Sequence, residues 1–194
     1  MKGTQLIAVP FPILLYSSFK HSFDYLFNLF YIYTKVKGLA ILNIILNEDV
    51  ETNLSIQLKA FAEYATDPTP SSALDESVEQ INEELQNGTK ILTAIVEGKP
   101  VATVRFLLKA HLLYFYRLSV LPAEQGKGYA KQLITKLEDF AKQQGLNEVQ
   151  CNVRYNVPRN LYLYTSIDYQ IIHEYDVIKP NGAAIKTVTM AKKI

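Results

Sequence analysis

The chain has 194 residues, a net charge of +1, 48% hydrophobic content and one cysteine. That length suits one domain with some additional chain. The near-neutral balance excludes nucleic acid as the main partner, and the apolar content excludes a disordered chain. A lone thiol excludes an intrachain disulfide and fits a reducing, cytoplasmic setting.

Residues 1–38 differ from the rest. Nine of the 22 Phe and Tyr residues fall within the first 33 positions, and four lysines stand against Asp24 alone. This segment therefore carries +3 and leaves −2 for the remainder. Pro10 and Pro12 break the apolar run from Leu6 to Phe19, which is also short of the roughly 20 residues that span a bilayer. Lys2 precedes that run, as in a signal peptide, but no small-x-small cleavage site follows it. Phe23, Phe27, Phe30 and Tyr31 recur at helical spacing, as in an amphipathic helix. The expectation is an N-terminal extension over 1–38 with no chemistry of its own, membrane contact being the less favoured role, followed by one domain over 39–194.

In that domain the period of apolar residues predicts each element. Ala40–Leu46 is a strand. A helix over about 49–65 follows, with acidic residues at its start and Val50, Leu54, Leu58, Phe61 and Ala65 as its buried stripe. Asp67 to Ser72, with two prolines, is a loop. Val78, Ile81 and Leu85 mark a second helix ending near Asn87-Gly88. Lys90–Val96, Val101–Leu108 and Leu112–Val120 are strands, with Glu97 to Pro100 as the first hairpin turn. A third helix buries Leu133, Ile134, Leu137, Phe140 and Ala141 and stops at Gly145. Val149–Arg154 is a strand, Pro158–Ser166 a short helix, and Tyr169–Ile178 with Ile185–Ala191 a last antiparallel pair. The order β-α-α-β-β-β-α-β-α-β-β predicts an α+β fold with a mixed, mostly antiparallel central sheet flanked by helices.

One stretch carries chemistry. Gln125, Gly126, Lys127, Gly128, Tyr129, Ala130 and Lys131 join a strand to a helix start. Gly126 and Gly128 permit a tight turn, and the amides of residues 126–131 stand at a helix N-terminus, where free N–H groups and the helix dipole favour phosphate. Lys127 and Lys131 add positive charge. A P-loop would need Gly-Lys-Ser/Thr, whereas Tyr129 follows Gly128. A dinucleotide fingerprint would need a βαβ unit, whereas the preceding strand arrives from a hairpin.

Residues about 40–194 resemble the GCN5-related N-acetyltransferase (GNAT) superfamily. The family motif Arg/Gln-x-x-Gly-x-Gly/Ala matches residues 125–130, the preceding Arg117-Leu-Ser-Val-Leu-Pro matches its central strand, and Val157 to Tyr169 matches its second motif. Three departures stand out: Ala130 for the commoner Gly, Asp168 where Gly ends the short helix, and Val157 where many members have Asn. Asp tolerates a left-handed conformation, though less freely than Gly.

The resemblance implies an enzyme that transfers an acetyl group from acetyl-CoA to a primary amine by direct attack. The alternative is an acyl-CoA-binding module with little or no turnover. It further implies that the backbone of Leu118, Ser119 and Val120 pairs with the pantetheine arm. The amides of residues 126–131 would hold the pyrophosphate, and Asn160 would lie near the thioester. Tyr164 would serve the leaving thiol, and the Val120 N–H is the best candidate for the oxyanion. Tyr114, Tyr116, His111, His173 and Glu174 are the options for a general base, none of them assigned. The acceptor region would hold Tyr64, Asp67, Asp75, Glu76, Glu79, Glu83 and Glu84, whose acidity suits a cationic amine or is a solvated helix face. Cys151 is expected to be a buried small hydrophobe. His21, His111 and His173 lie far apart, and no Cys/His cluster has zinc-ligand spacing, so no metal is expected. A monomer or homodimer is equally compatible with these features.

Overall fold

The computed structural model describes residues 42–179 and 181–194. The reading of residues 1–38, and the first two residues of the strand expected from Ala40, lie outside them. Seven strands form one sheet in the order β1-β2-β3-β4-β5-β7-β6. They are β1 Leu42–Asn47, β2 Lys90–Val96, β3 Lys99–Leu108, β4 Leu113–Val120, β5 Glu148–Arg154, β6 Gln170–Ile178 and β7 Ala184–Lys193. Every neighbouring pair is antiparallel except β4 and β5. Four α-helices flank the sheet among the described residues: α1 Val50–Phe61, α2 Val78–Gln86, α3 Tyr129–Gln143 and α4 Pro158–Thr165.

Local chemistry explains most boundaries. Asp49 caps α1 by accepting from the Thr52 N–H at 2.9 Å. Ser77 and Gln80 form a capping box at the start of α2. The β2–β3 turn is only Glu97-Gly98, both at positive φ, which is the twist a two-residue hairpin favours. Lys99 and Pro100 already belong to β3. Pro100 is tolerated there because the register shifts between Ala94 and Ile95, opposite it. The helix expected to reach residue 65 instead tightens into a 3₁₀ turn at Ala62–Tyr64. The loop after Asp67 contains another such turn, Ser72–Leu74, with Ser71 as its cap.

The two faces of the sheet are built differently. On one, Leu133, Ile134, Leu137 and Ala141 of α3 pack on Val104, Phe106, Leu113, Phe115 and Val149. On the other, α1 meets Thr103 and Arg105 of β3. The buried residues of α1 are therefore Val50, Asn53, Ile56, Gln57 and Ala60, which corrects the expected stripe, and Leu58 is 36% exposed. Apolar residues are excluded from those two positions because polar groups wait opposite. Asn53 donates to Thr103 Oγ1 at 2.6 Å, and Arg105 donates to Gln57 Oε1 at 2.8 Å. A small apolar core of Val50, Ile81 and Ile91 closes the end of this layer against α2.

Candidate functional site

The parallel pairing of β4 and β5 is brief. Leu113, Tyr114 and Phe115 pair with Val149, Gln150 and Cys151, and beyond Cys151 the strands separate. The separation leaves residues 116–120 and 152–154 with edges that have no partner across the gap. β4 also carries an extra residue, because Arg105 faces Tyr116 while Thr103 faces Ser119. Arg117 sits in this bulge at φ +53, a left-handed conformation uncommon for a side chain of its size. The Leu121 N–H donates to Val101 O at 2.9 Å, toward β3. N–H directions alternate along a strand, so the Val120 N–H turns toward the gap.

Two cavities open on this gap. One, of about 450 Å³, is walled by Leu118, Val120, Gln125, Gly126, Gly128, Tyr129, Ala130, Lys131, Arg159, Asn160 and Tyr164, among others. The other, of about 240 Å³, is walled by Phe61, Tyr64, residues 114–118 and 151–154, Asn160 and Tyr164. Phe61, Tyr64, Leu118, Asn160 and Tyr164 belong to both, so the cavities meet between the end of α1, β4 and α4.

The larger cavity includes a turn that offers its main chain. Gly126 and Gly128 stand at φ +78 and +86, and a Cβ on Gly126 would touch nothing in the protein. The requirement for glycine is therefore the left-handed turn itself. Gly128 is the N-cap of α3. The first helical bond there runs from the Gln132 N–H to Gly128 O at 3.1 Å. The amides of Tyr129, Ala130 and Lys131 precede it and have no partner within the helix. Of the residues expected here, Ser119 and Lys127 line neither cavity. The Ser119 hydroxyl is buried and donates to Arg117 O at 3.0 Å, within the bulge. Lys127 turns outward to Glu124 at 2.9 Å, which raises its pKa.

The smaller cavity is built from side chains held by a network that sequence reasoning did not assemble. Arg105, 0% exposed, pairs with both Glu76 and Glu84. Glu76 also accepts from Arg117 Nε at 2.7 Å and from Gln57 at 2.8 Å, and Arg117 reaches Ser72 Oγ at 3.2 Å. Burial alone would push the Glu76 carboxyl up; the hydrogen bonds from Arg117 and Gln57 and the two guanidinium charges outweigh it and hold it low. Glu84 accepts from the Tyr116 hydroxyl at 2.9 Å. Glu76 is thus largely buried and Glu84 half-buried, and both are committed to guanidinium partners. The only sequence signal for this was an arginine inside an otherwise apolar strand.

The five options for a general base divide by their place relative to the cavities. Tyr114 and Tyr116 line the smaller cavity, but burial pushes each up to about 12, with Tyr175 adding to the effect at Tyr114 and Glu84 at Tyr116. His111, His173 and Glu174 line neither cavity, and His173 stacks on Tyr175 in exposed β6. Tyr64 lines both cavities, whereas Asp67, Asp75, Glu79 and Glu83 line neither. Tyr164 is 8% exposed, and its pKa lies well above the usual tyrosine range through burial and the neighbouring Cys151 and Tyr169. Cys151 is 2% exposed, as expected of a small buried hydrophobe, and burial raises its thiol. Asp168 stands at φ +71 and ends α4, the Tyr169 N–H returning to Tyr164 O at 3.1 Å.

A family model described as the acetyltransferase (GNAT) family matches residues 58–169. No curated protein matches the chain. Among solved structures, the ribosomal-protein-S18-alanine N-acetyltransferase from Escherichia coli is similar at TM-score 0.63 and 16% identity, over 79% of this chain and 94% of that one. An acetyltransferase of the GNAT family from Streptococcus pneumoniae reaches 0.61 at 18% identity, over 79% and 100%. A GNAT family acetyltransferase from Elizabethkingia anophelis, with acetyl-CoA bound, reaches 0.56 at 13% identity, over 79% and 98%. At such identities the shared property is the fold.

Proposed function

The chain belongs to the GNAT acetyltransferase family, and from that premise we propose that residues 39–194 transfer an acetyl group from acetyl-CoA to a primary amine by direct attack. The observation that carries this reading is the meeting at Tyr164 of two cavities, one of which contains the Gly126–Gly128 turn and the start of α3. The residues present fit acetyl-CoA. The amides at the start of α3 suit a pyrophosphate, and the separated edge of β4 at Leu118 and Val120 offers main-chain groups to an extended pantetheine arm.

The thioester supplies an electrophilic carbonyl and a thiolate leaving group. The Val120 N–H meets the oxygen on which charge develops. Nitrogen bonds to the carbonyl carbon, the C–S bond breaks, and the surplus proton of the nitrogen passes to water. Tyr164 keeps its proton at every working pH, because its pKa lies far above that of a thiol. Its role is to donate a hydrogen bond to the departing sulfur rather than to surrender the proton outright. No carboxylate or imidazole lines the acceptor cavity among the described residues, so the amine enters neutral, having lost its proton to solvent.

That missing base is also the observation favouring a second reading, an acyl-CoA-binding module without turnover. Release of CoA from acetyl-CoA, followed across a panel of amines with the full chain, decides between them. Amine-dependent release supports transfer, and tight acetyl-CoA binding with no release from any amine supports the binding module.

A further inference from the structure

Charge in the acceptor cavity runs opposite to the expectation of an acidic site. Two arginines, Arg117 and Arg154, line it, and no carboxylate does among the described residues. The charge of Arg117 is already met, since Arg105, Arg117, Glu76 and Glu84 form one cluster of two cations and two anions. Arg154 stands apart. It lies at the end of β5, beyond the point where β4 and β5 part, and its guanidinium donates to two neutral carbonyls, Thr69 O at 2.7 Å and Pro70 O at 3.0 Å. It has no ion pair among the described residues. Two of its roughly five N–H donors are thereby used, which fixes the plane of the group and leaves donors for two oxygens of an anion.

We infer that the acceptor is a small amine that also bears an anionic group, a carboxylate or a phosphonate, and that Arg154 holds that group. The inference rests on the acyl-transfer reading for the identity of the cavity as the acceptor site. An amine with no anion would leave the charge of Arg154 uncompensated in the cavity, with Glu76 and Glu84 already committed elsewhere. An amine with an adjacent anion meets a fork-shaped partner, while Phe61, Tyr64, Tyr114 and Tyr116 offer aromatic walls to the rest of it.

The test compares ligands that differ only in the anion. With CoA present, calorimetry on the full chain measures N-acetylphenylalanine, its phosphonate counterpart and N-acetylphenethylamine. CoA release is then measured with phenylalanine, the aminophosphonate and phenethylamine. The expected result is binding at least about 10-fold tighter for an anionic ligand than for the neutral one. Arg154→Gln should collapse that ratio toward one while leaving acetyl-CoA affinity unchanged, and Arg154→Lys should restore part of it. The two anionic arms show which anion is preferred. Equal or better binding of N-acetylphenethylamine, equal losses for all ligands in Arg154→Gln, or no binding of any of them would overturn the inference. An Arg154-dependent ratio without CoA release would leave the anion site standing and sink the transfer reading. CoA release that favours phenethylamine over both anionic amines would do the reverse.

Discussion

The two cavities teach different lessons about how a site is made. The larger is centred on the turn and helix start within residues 125–131, with their free main-chain N–H groups, while side chains of α1, β4 and α4 complete its walls. The smaller draws on residues near 61–72, 114–118 and 151–164, and its walls depend on side chains that neutralise one another across the sheet. A backbone site tolerates changes of side chain but not of φ. A side-chain site tolerates neither the loss of a charge nor a shift of the helix that carries it.

Glu76→Gln should break that contrast most severely. It removes one carboxylate shared by Arg105 and Arg117, leaving buried positive charge, and should cost about 3 kcal/mol of stability in urea unfolding. Because the Glu76 carboxyl is held low in the folded protein, its contribution is full above the ordinary carboxylate value and is lost as pH falls through the folded value. The variant should therefore lose less stability than the native chain on acidification. Acetyl-CoA affinity, measured by calorimetry below the unfolding range, should be nearly unchanged. A parallel loss of that affinity would show the two cavities to be one energetic unit.

Tyr164→Phe should lower kcat by about 100-fold with acetyl-CoA affinity intact, since it removes one hydrogen bond needed as the sulfur leaves. Gly128→Val should do the converse, weakening acetyl-CoA about 30-fold through a left-handed φ that valine resists. Gly98→Val is its control: it stands at a similar φ in the β2–β3 turn and should cost stability without changing acetyl-CoA affinity. In the pH profile, kcat/KM should rise about tenfold per unit up to the pKa of the amine itself. It should show no inflection near 6.5, the ordinary histidine value, because His111 and His173 lie outside both cavities. The smallest effect belongs to Asp168→Gly, which should stabilise the chain by about 0.5–1 kcal/mol by relieving φ +71 at the end of α4.

The same contrast explains what could be read from the chain. Element order, the α3 stripe and the Gly126–Gly128 turn are local patterns, and each was legible. The left-handed Asp168 followed only from the family resemblance, as the residue standing where Gly usually ends the short helix. The face of α1 was not, because Asn53 and Gln57 are buried only by virtue of Thr103 and Arg105, some 50 positions away. For the same reason Glu76 and Glu84 read as surface acids. The β4 bulge is invisible in Arg117-Leu-Ser, since nothing in those side chains marks a positive φ; it is held by Glu76, Ser72 and the Ser119 hydroxyl. The parting of β4 from β5 has no local signature either.

The central claim is that both substrates occupy adjoining cavities at once and react directly. Initial rates with acetyl-CoA and amine varied together test it. Intersecting double-reciprocal lines are expected, with no gain in protein mass when acetyl-CoA is added alone. Parallel lines, with an acetyl group found on Cys151, would contradict it.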